Sequence, residues 1–353
     1  MSTLALPTVD EEIWRYSRIG ELDLASFKLG KLSTKIDASS DAKQIVSATT
    51  KVVARASTDI FEELNGQHAQ LTAITTAKNQ VVAEPIVITH SLDESGVVAY
   101  SRLVVEANEN SEVTIVERFV SSANAKSLIV PVVDVRAAQS ARVTYVAINE
   151  LGTATWQIGY QQAVGQRDST MQMFTVALGG DYARMRAEVR LEGQGASAQQ
   201  VALYFADENQ MHDFRTLQDH AAPRTHSNLL FKGAVKDTAK SVYTGLIRIR
   251  ENATKSEAFQ TNRNLTLSNG AWAESVPNLE IETNDVKCSH ASTVGPIDEE
   301  QRFYLESRGI QPEIAERLVV LGFFDEVLNR LPALPFIAGL RERVSTKLLG
   351  AKS

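Results

Sequence analysis

Gly193-Gln194-Gly195-Ala196-Ser197-Ala198-Gln199-Gln200-Val201-Ala202-Leu203-Tyr204-Phe205 is the stretch on which the fold turns. Its first six residues match the loose G-x-G-x-x-A pattern of dinucleotide loops, which must open a helix whose N-terminus holds a pyrophosphate. Instead, Gln200 to Phe205 reads as a strand. The two glycines therefore predict a turn between strands, and the chain reads as β and not as a doubly wound α/β protein.

Similar β-branched runs lie on both sides: Ile86-Val87-Ile88, Val113-Thr114-Ile115-Val116, Val143-Thr144-Tyr145-Val146 and Leu246-Ile247-Arg248-Ile249. Turn formers separate them at Asn149-Glu150-Leu151-Gly152, Gly179-Gly180-Asp181 and Ser268-Asn269-Gly270. Closely spaced strands without helices between them indicate a sandwich, a barrel or a β-solenoid. No fixed repeat period selects among the three.

The ends differ from this middle. Thr8-Val9-Asp10-Glu11 has the form of a capping box, predicting a short helix through Trp14 and Tyr16 that stops near Gly20. The polar stretch from Lys28 to Lys43 reads as linker. At the other end, Asp298 is placed as an N-cap with Gln301 at the capping-box position, and Gly309 stops that helix. Pro312 opens a second helix to about Arg330, and Pro332 and Pro335 precede a last helix carrying Leu340, Val344, Leu348 and Leu349. The expected division is residues 1–50, a helical region and linker; 51–296, the β core; and 297–353, a helical region. The second helix is apolar on more than one face, so it needs a cover on both sides. Leu318, Leu321, Phe323 and Phe324 are the candidate partner-contacting residues there.

The chain has 353 residues, a net charge of −7 and one cysteine. The acidic balance argues against a broad nucleic-acid or anionic-membrane face. The lone cysteine and a start without a basic, then apolar, segment predict a cytoplasmic protein. There is no G-x-x-x-x-G-K-[ST], hence no nucleotide-binding phosphate loop, and neither G-x-S-x-G nor H-E-x-x-H occurs.

Two groups of residues could carry chemistry. Cys288 and His290 stand two apart, so on a strand they share a face and present a thiol beside an imidazole, both suited to zinc or iron. Val286 shares that face, which equally suits a buried, inert thiol. His212, Asp213, Asp219, His220 and His226 form the densest histidine and carboxylate cluster. A metal-dependent β-solenoid or cupin-like enzyme could use His212, His220 and His226; polar turns account for the same residues.

A long ordered block carries further information. It runs from Gln218-Asp219-His220-Ala221-Ala222-Pro223 through Ser227-Asn228-Leu229-Leu230-Phe231-Lys232-Gly233 and Phe259-Gln260-Thr261-Asn262-Arg263-Asn264-Leu265. It continues through Asp285-Val286-Lys287-Cys288-Ser289-His290-Ala291-Ser292-Thr293-Val294-Gly295 to Phe303-Tyr304-Leu305-Glu306-Ser307-Arg308-Gly309-Ile310. This block resembles the SufB/SufD family of iron–sulfur cluster assembly proteins, most closely the SufD branch, densely over residues 215–330. The short chain and the Cys-Ser-His-Ala-Ser-Thr-Val-Gly string favour SufD, although many relatives read His-Gly-Ala-Thr at positions 290–293.

The resemblance implies a right-handed parallel β-helix with helical N- and C-terminal regions. It implies a non-catalytic scaffold that pairs with a SufB-like subunit and binds a SufC-like ATPase through its C-terminal helices, with a homodimer as the possible state of the isolated chain. It further implies that His290 is an interface ligand of a transient iron–sulfur cluster shared with SufB, with Cys288 as the weaker candidate. Mixed imidazole and thiolate ligation of iron is chemically ordinary.

Overall fold

The computed structural model describes residues 4–49, 57–332 and 339–349. The boundary expected near residue 50 and the break expected at Pro335 lie outside them.

In chain order the early elements are β1 (Lys28–Leu29), β2 (Ser33–Asp37), α1 (Ser40–Lys43), β3 (Val46–Ser47), α2 (Ile60–His68) and β4 (Gln70–Thr75). Then come β5 (Ile86–Ser91), β6 (Val97–Ala107), β7 (Glu112–Val120), β8 (Leu128–Ala137), β9 (Arg142–Glu150), β10 (Trp156–Gly165), β11 (Thr170–Ala177) and β12 (Tyr182–Leu191). The last coils are β13 (Ser197–Ala206), β14 (Met211–His220), β15 (His226–Val235), β16 (Lys240–Ile249), β17 (Ser256–Thr266), β18 (Trp272–Ile281) and β19 (Val286–Gly295). Three helices follow: α3 (Glu299–Ser307), α4 (Pro312–Leu328) and α5 (Leu340–Leu349).

From β4 on, even strands stack in parallel in one sheet and odd strands in the other. The molecule is therefore a parallel β-solenoid of about 8 coils, two strands per coil, with helices at its ends. Each coil buries its inner face only against its neighbours, which is why sequence-distant strands pair so regularly. The coils are unequal in length. Trp156 pairs with Tyr182, 26 residues on, whereas Lys240 pairs with Trp272, 32 residues on.

Gly193 and Gly195 belong to one edge of this stack. The N–H groups of Asn110, Ser140 and Asp168 donate to the carbonyls of Gln139, Arg167 and Gln194 in the next coil, and Gly195 continues the series to Pro223. All four residues have positive φ, Gly195 at +75°, a conformation glycine adopts without penalty. At Gly193 a side chain would collide with the backbone of Arg167. The pattern that mimics a dinucleotide loop is a solenoid corner.

The N-terminal expectations need correcting. Thr8 and Glu11 do bond as a capping pair, Thr8 N to Glu11 Oε1 at 3.0 Å. Only short 3-10 turns follow, at Glu12–Trp14 and Ile19–Glu21. This segment is a strap along the outer face of the even sheet, where Trp14, Ile19 and Leu22 pack with Tyr100, Val130, Ile158 and Tyr182. Arg184 reaches up to it, donating to Ile13 O at 2.6 Å. Residues 28–43, read as linker, carry β1, β2 and α1, and β2 pairs antiparallel with β5.

The C-terminal expectations hold more closely. Asp298 caps α3 through Glu300 N and Gln301 N, and Gly309 ends it with φ +84°. Val320, Phe324 and Val327 of α4 and Leu340, Val344 and Leu348 of α5 pack on the outer face of the odd sheet against Val146, Phe174, Val201 and Phe205.

The interior changes character along the stack. Early coils are filled by Ile88, Leu103, Val105, Val113, Ile115 and Val133. Late coils carry polar groups: Tyr204 donates to Asn264 Oδ1 at 2.6 Å, and the Thr216 and Tyr243 hydroxyls lie 2.9 Å apart.

Candidate functional site

The last coil is open. Among the described residues no strand stacks beyond β18 in one sheet or β19 in the other, so both sheets end on ten-residue edges whose backbone groups have no partner strand on that side. Such edges are templates for pairing with another chain unless they are covered or blunted. Inner-facing positions of this coil have no layer beneath them. Leu279 (41% exposed), Ile281 (42%) and Val294 lie open there, although Ile247 and Ile249, one coil back in the same rows, are fully buried.

Cys288 and His290 sit in this mouth. Val286 and Cys288 pack against Ile247, Ile249 and Ala258, which fixes this row as inward-facing. Two residues beyond His290, Ser292 Oγ donates across the mouth to Ser275 Oγ at 2.7 Å. Alternation along the strand therefore puts Cys288, His290 and Ser292 on one inner face. Cys288 is half-buried, and that burial raises its thiol pKa and disfavours the thiolate that binds metal. His290 is exposed. Neither of its ring nitrogens bonds to any described residue.

Directly behind His290 in the stack is Gln260, its register partner on β17. The Gln260 side chain is 2% exposed, yet neither its Oε1 nor its Nε2 has a hydrogen-bond partner. An orphaned buried amide costs about 1–3 kcal/mol. Sequence reading passed over Gln260, because an amide in a strand gives no signal by itself.

The second histidine group is not brought together. His212 and His220 stand at opposite ends of β14, roughly 26 Å apart at ~3.3 Å per residue. His212 Nε2 lies 3.2 Å from Gly179 O. His220 is held by Thr225 and Ser227 hydroxyls, each at 2.7 Å, and His226 is 3.7 Å from Glu257. Asp213 is taken by Arg184 and Arg215, and Asp219 by Arg250. These are structural partners. Among the described residues no three His, Cys, Asp or Glu side chains converge as metal ligands.

Burial moves both histidines down, His212 to about 3 and His220 to about 4. In the unfolded chain an imidazole takes up its proton near pH ~6.5. Below that pH the unfolded state binds more protons than the folded one, so stability complete above pH ~6.5 falls as pH drops toward 4 and 3. Urea unfolding at pH 7 and 4.5 should show this loss, with a His212→Gln chain losing on the order of 2 kcal/mol less. Equal losses in the two chains would contradict it.

At the C-terminus, Leu318 is exposed (42%), Leu321 and Phe323 are half-buried, and Phe324 is completely buried. Phe324 is thus corrected from a partner contact to a core residue: its ring packs 6.4 Å from Phe205. The helix's second cover comes in part from α5. Phe323 lies beneath Lys232, whose ammonium is 4.7 Å from the ring and bonds Phe323 O. Phe303 and Tyr304 on α3 and Ile314 on α4, which sequence reading did not single out, are also exposed.

The profile of the SufBD core domain of the SUF system for FeS cluster assembly matches residues 87–323, from the first coils into α4. The chain belongs to the SufBD family. An iron–sulfur cluster assembly SufBD family protein of Mycobacterium tuberculosis is 40% identical over 285 residues, 78% of this chain and 70% of that protein. Its counterpart in Mycobacterium leprae is 33% identical over 361 residues, covering 96% and 88%. The iron–sulfur cluster assembly protein SufD of Escherichia coli is 28% identical over 295 residues, 82% of this chain and 69% of SufD. Among the described residues of this SufBD family chain, no helix is long and apolar enough to cross a membrane.

Proposed function

We propose that this chain is the SufD-type, non-catalytic scaffold of a cytoplasmic iron–sulfur assembly complex, paired with a SufB-type scaffold and bound to a SufC-type ATPase. The observation that carries this reading is the last coil, with two unpaired edges, apolar inner residues uncovered, and His290 at its centre. A second parallel solenoid presenting its own open coil would continue both sheets and bury Leu279, Ile281 and Val294.

His290 then faces the partner across the joint. Iron is the cargo here, and the imidazole supplies one lone pair to it while SufB supplies a thiolate. Cys288 contributes only if its thiol loses a proton that its burial favours keeping. The ATPase docks on the exposed side of α3 and α4. Since β19 runs into α3 through only Pro296, Ile297 and Asp298, a pull on these helices acts on the strand that carries His290. The pull shifts the joint to the extent that nucleotide binding favours one arrangement over the other.

The test is His290→Ala. Because the side chain is exposed and without partners among the described residues, the complex should assemble normally. Anaerobic reconstitution with iron and sulfide should then give roughly tenfold less cluster, read by visible absorption and iron content. Unchanged yield removes His290 from the site.

A further inference from the structure

We propose that Gln260 is a positioning residue for His290: when the two side chains turn toward each other, forming a bond not present in the arrangement described above, its carboxamide oxygen accepts the imidazole N–H and thereby selects which ring nitrogen offers its lone pair outward. This rests on the reading of His290 as an iron ligand. A metal-bound histidine usually donates its other N–H to a fixed acceptor, which sets the tautomer and ring orientation. Among the described residues His290 has no such acceptor, and Gln260 has an unused one.

The placement is specific. Gln260 and His290 are register partners on adjacent parallel strands, so their side chains leave the same inner face about 4.8 Å apart. Several nearby interior polar groups are occupied, Tyr204 with Asn262 and Asn264 and Tyr243 with Thr216, and Gln218 keeps one end of its amide bonded to Ser227. Among the described residues only Gln260 is orphaned at both ends of a buried amide, and buried groups of that kind call for an explanation.

Space has been left for it. Across the interior stands Gly245, where a Cβ would meet the Tyr243 hydroxyl and come within 2.7 Å of both Gln260 Nε2 and Oε1. Gly245 has no positive φ to account for the glycine. The amide therefore occupies room that a side chain on the even sheet would fill, and it stays suspended one layer behind the mouth. The next layer outward in its own row is His290.

The experiment uses the full chain with histidine labelled in both ring nitrogens, read by long-range proton–nitrogen correlation at pH 8. One tautomer of His290 is expected in the native chain, and a mixture in Gln260→Met, which keeps volume but loses the acceptor. Gln260→Asn, which keeps polarity and withdraws the carbonyl by one methylene, should give the same mixture and covers the case in which the methionine chain does not fold. In the reconstituted three-protein complex, Gln260→Met should lower iron affinity roughly 10-fold or more while leaving assembly intact. Identical tautomer populations in the native chain and both variants would overturn the proposal. If His290→Ala leaves cluster yield unchanged, the iron-ligand reading fails instead, and the tautomer result still reports on the Gln260 contact.

Discussion

A chain carrying Leu279→Glu and Ile281→Glu is expected to fold normally and to fail to pair with the SufB-type scaffold proposed above. Both residues point into the solenoid on its last coil, in register with Ile247 and Ile249 one coil back. Those two are fully buried because a coil lies over them; Leu279 and Ile281 are open because none does. Folding of the isolated chain leaves them in water, so charge there costs little. Continuing the stack with a partner coil would bury both, and an unpaired charge in a desolvated joint costs several kcal/mol. Affinity should fall on the order of 100-fold or more, measured by calorimetry or gel filtration against the partner, with the melting temperature of the isolated chain unchanged. Full affinity in the double variant would show that this end is not the joint.

The distribution of signals along the chain explains what could be read without the structure. Strand content was legible, because residues such as Val143, Tyr145 and Ala147 face the interior and lie against their counterparts in the next coil. The solenoid was not legible from periodicity. Coil offsets between 26 and 32 residues, set by corners of different length, blur any repeat while leaving every register intact. That distinction came from the ordered block shared with the SufB/SufD family, and the SufBD match agrees with it. Residues 28–43 were misread for a physical reason: β2 is a polar, exposed edge strand, the composition that blunts edges and also marks linkers. At Thr8 the local capping bond was read correctly and the helix was not. The strap follows the sheet beneath it, through Trp14 and the carbonyl of Ile13 that Arg184 holds, and tertiary contact overrides local preference there.

For the site, the pairing of Cys288 with His290 on one face followed from spacing alone, since a two-residue period is fixed by the pleat. Their unequal exposure did not follow. It depends on where the stack ends: Cys288 still packs against the apolar cluster that contains Ile247, Ile249 and Ala258, and His290 is not part of it. Gln260 was invisible for a related reason. An unsatisfied amide is a property of its surroundings, here the glycine opposite and the polar groups already paired around it.

The helices give the second large effect, and it separates two roles that a truncation would confuse. Removing everything after Gly309 would strip Val320, Phe324, Val327, Leu340 and Val344 from the odd sheet and expose Val146, Phe174, Val201 and Phe205. Lost ATPase binding would then report only a damaged fold. Phe324→Ala is expected to lower stability by about 3–5 kcal/mol in urea unfolding, as a fully buried aromatic against the sheet. Leu318→Glu, on the opposite, exposed side of the same helix, should leave that stability within ~0.5 kcal/mol. It should nevertheless weaken retention of the ATPase roughly tenfold or more, as for an apolar anchor at the centre of an interface. ATPase binding unaffected by Leu318→Glu would move the contact off α4, and a Phe324→Ala chain as stable as the native one would mean that α4 does not dock on the solenoid as described.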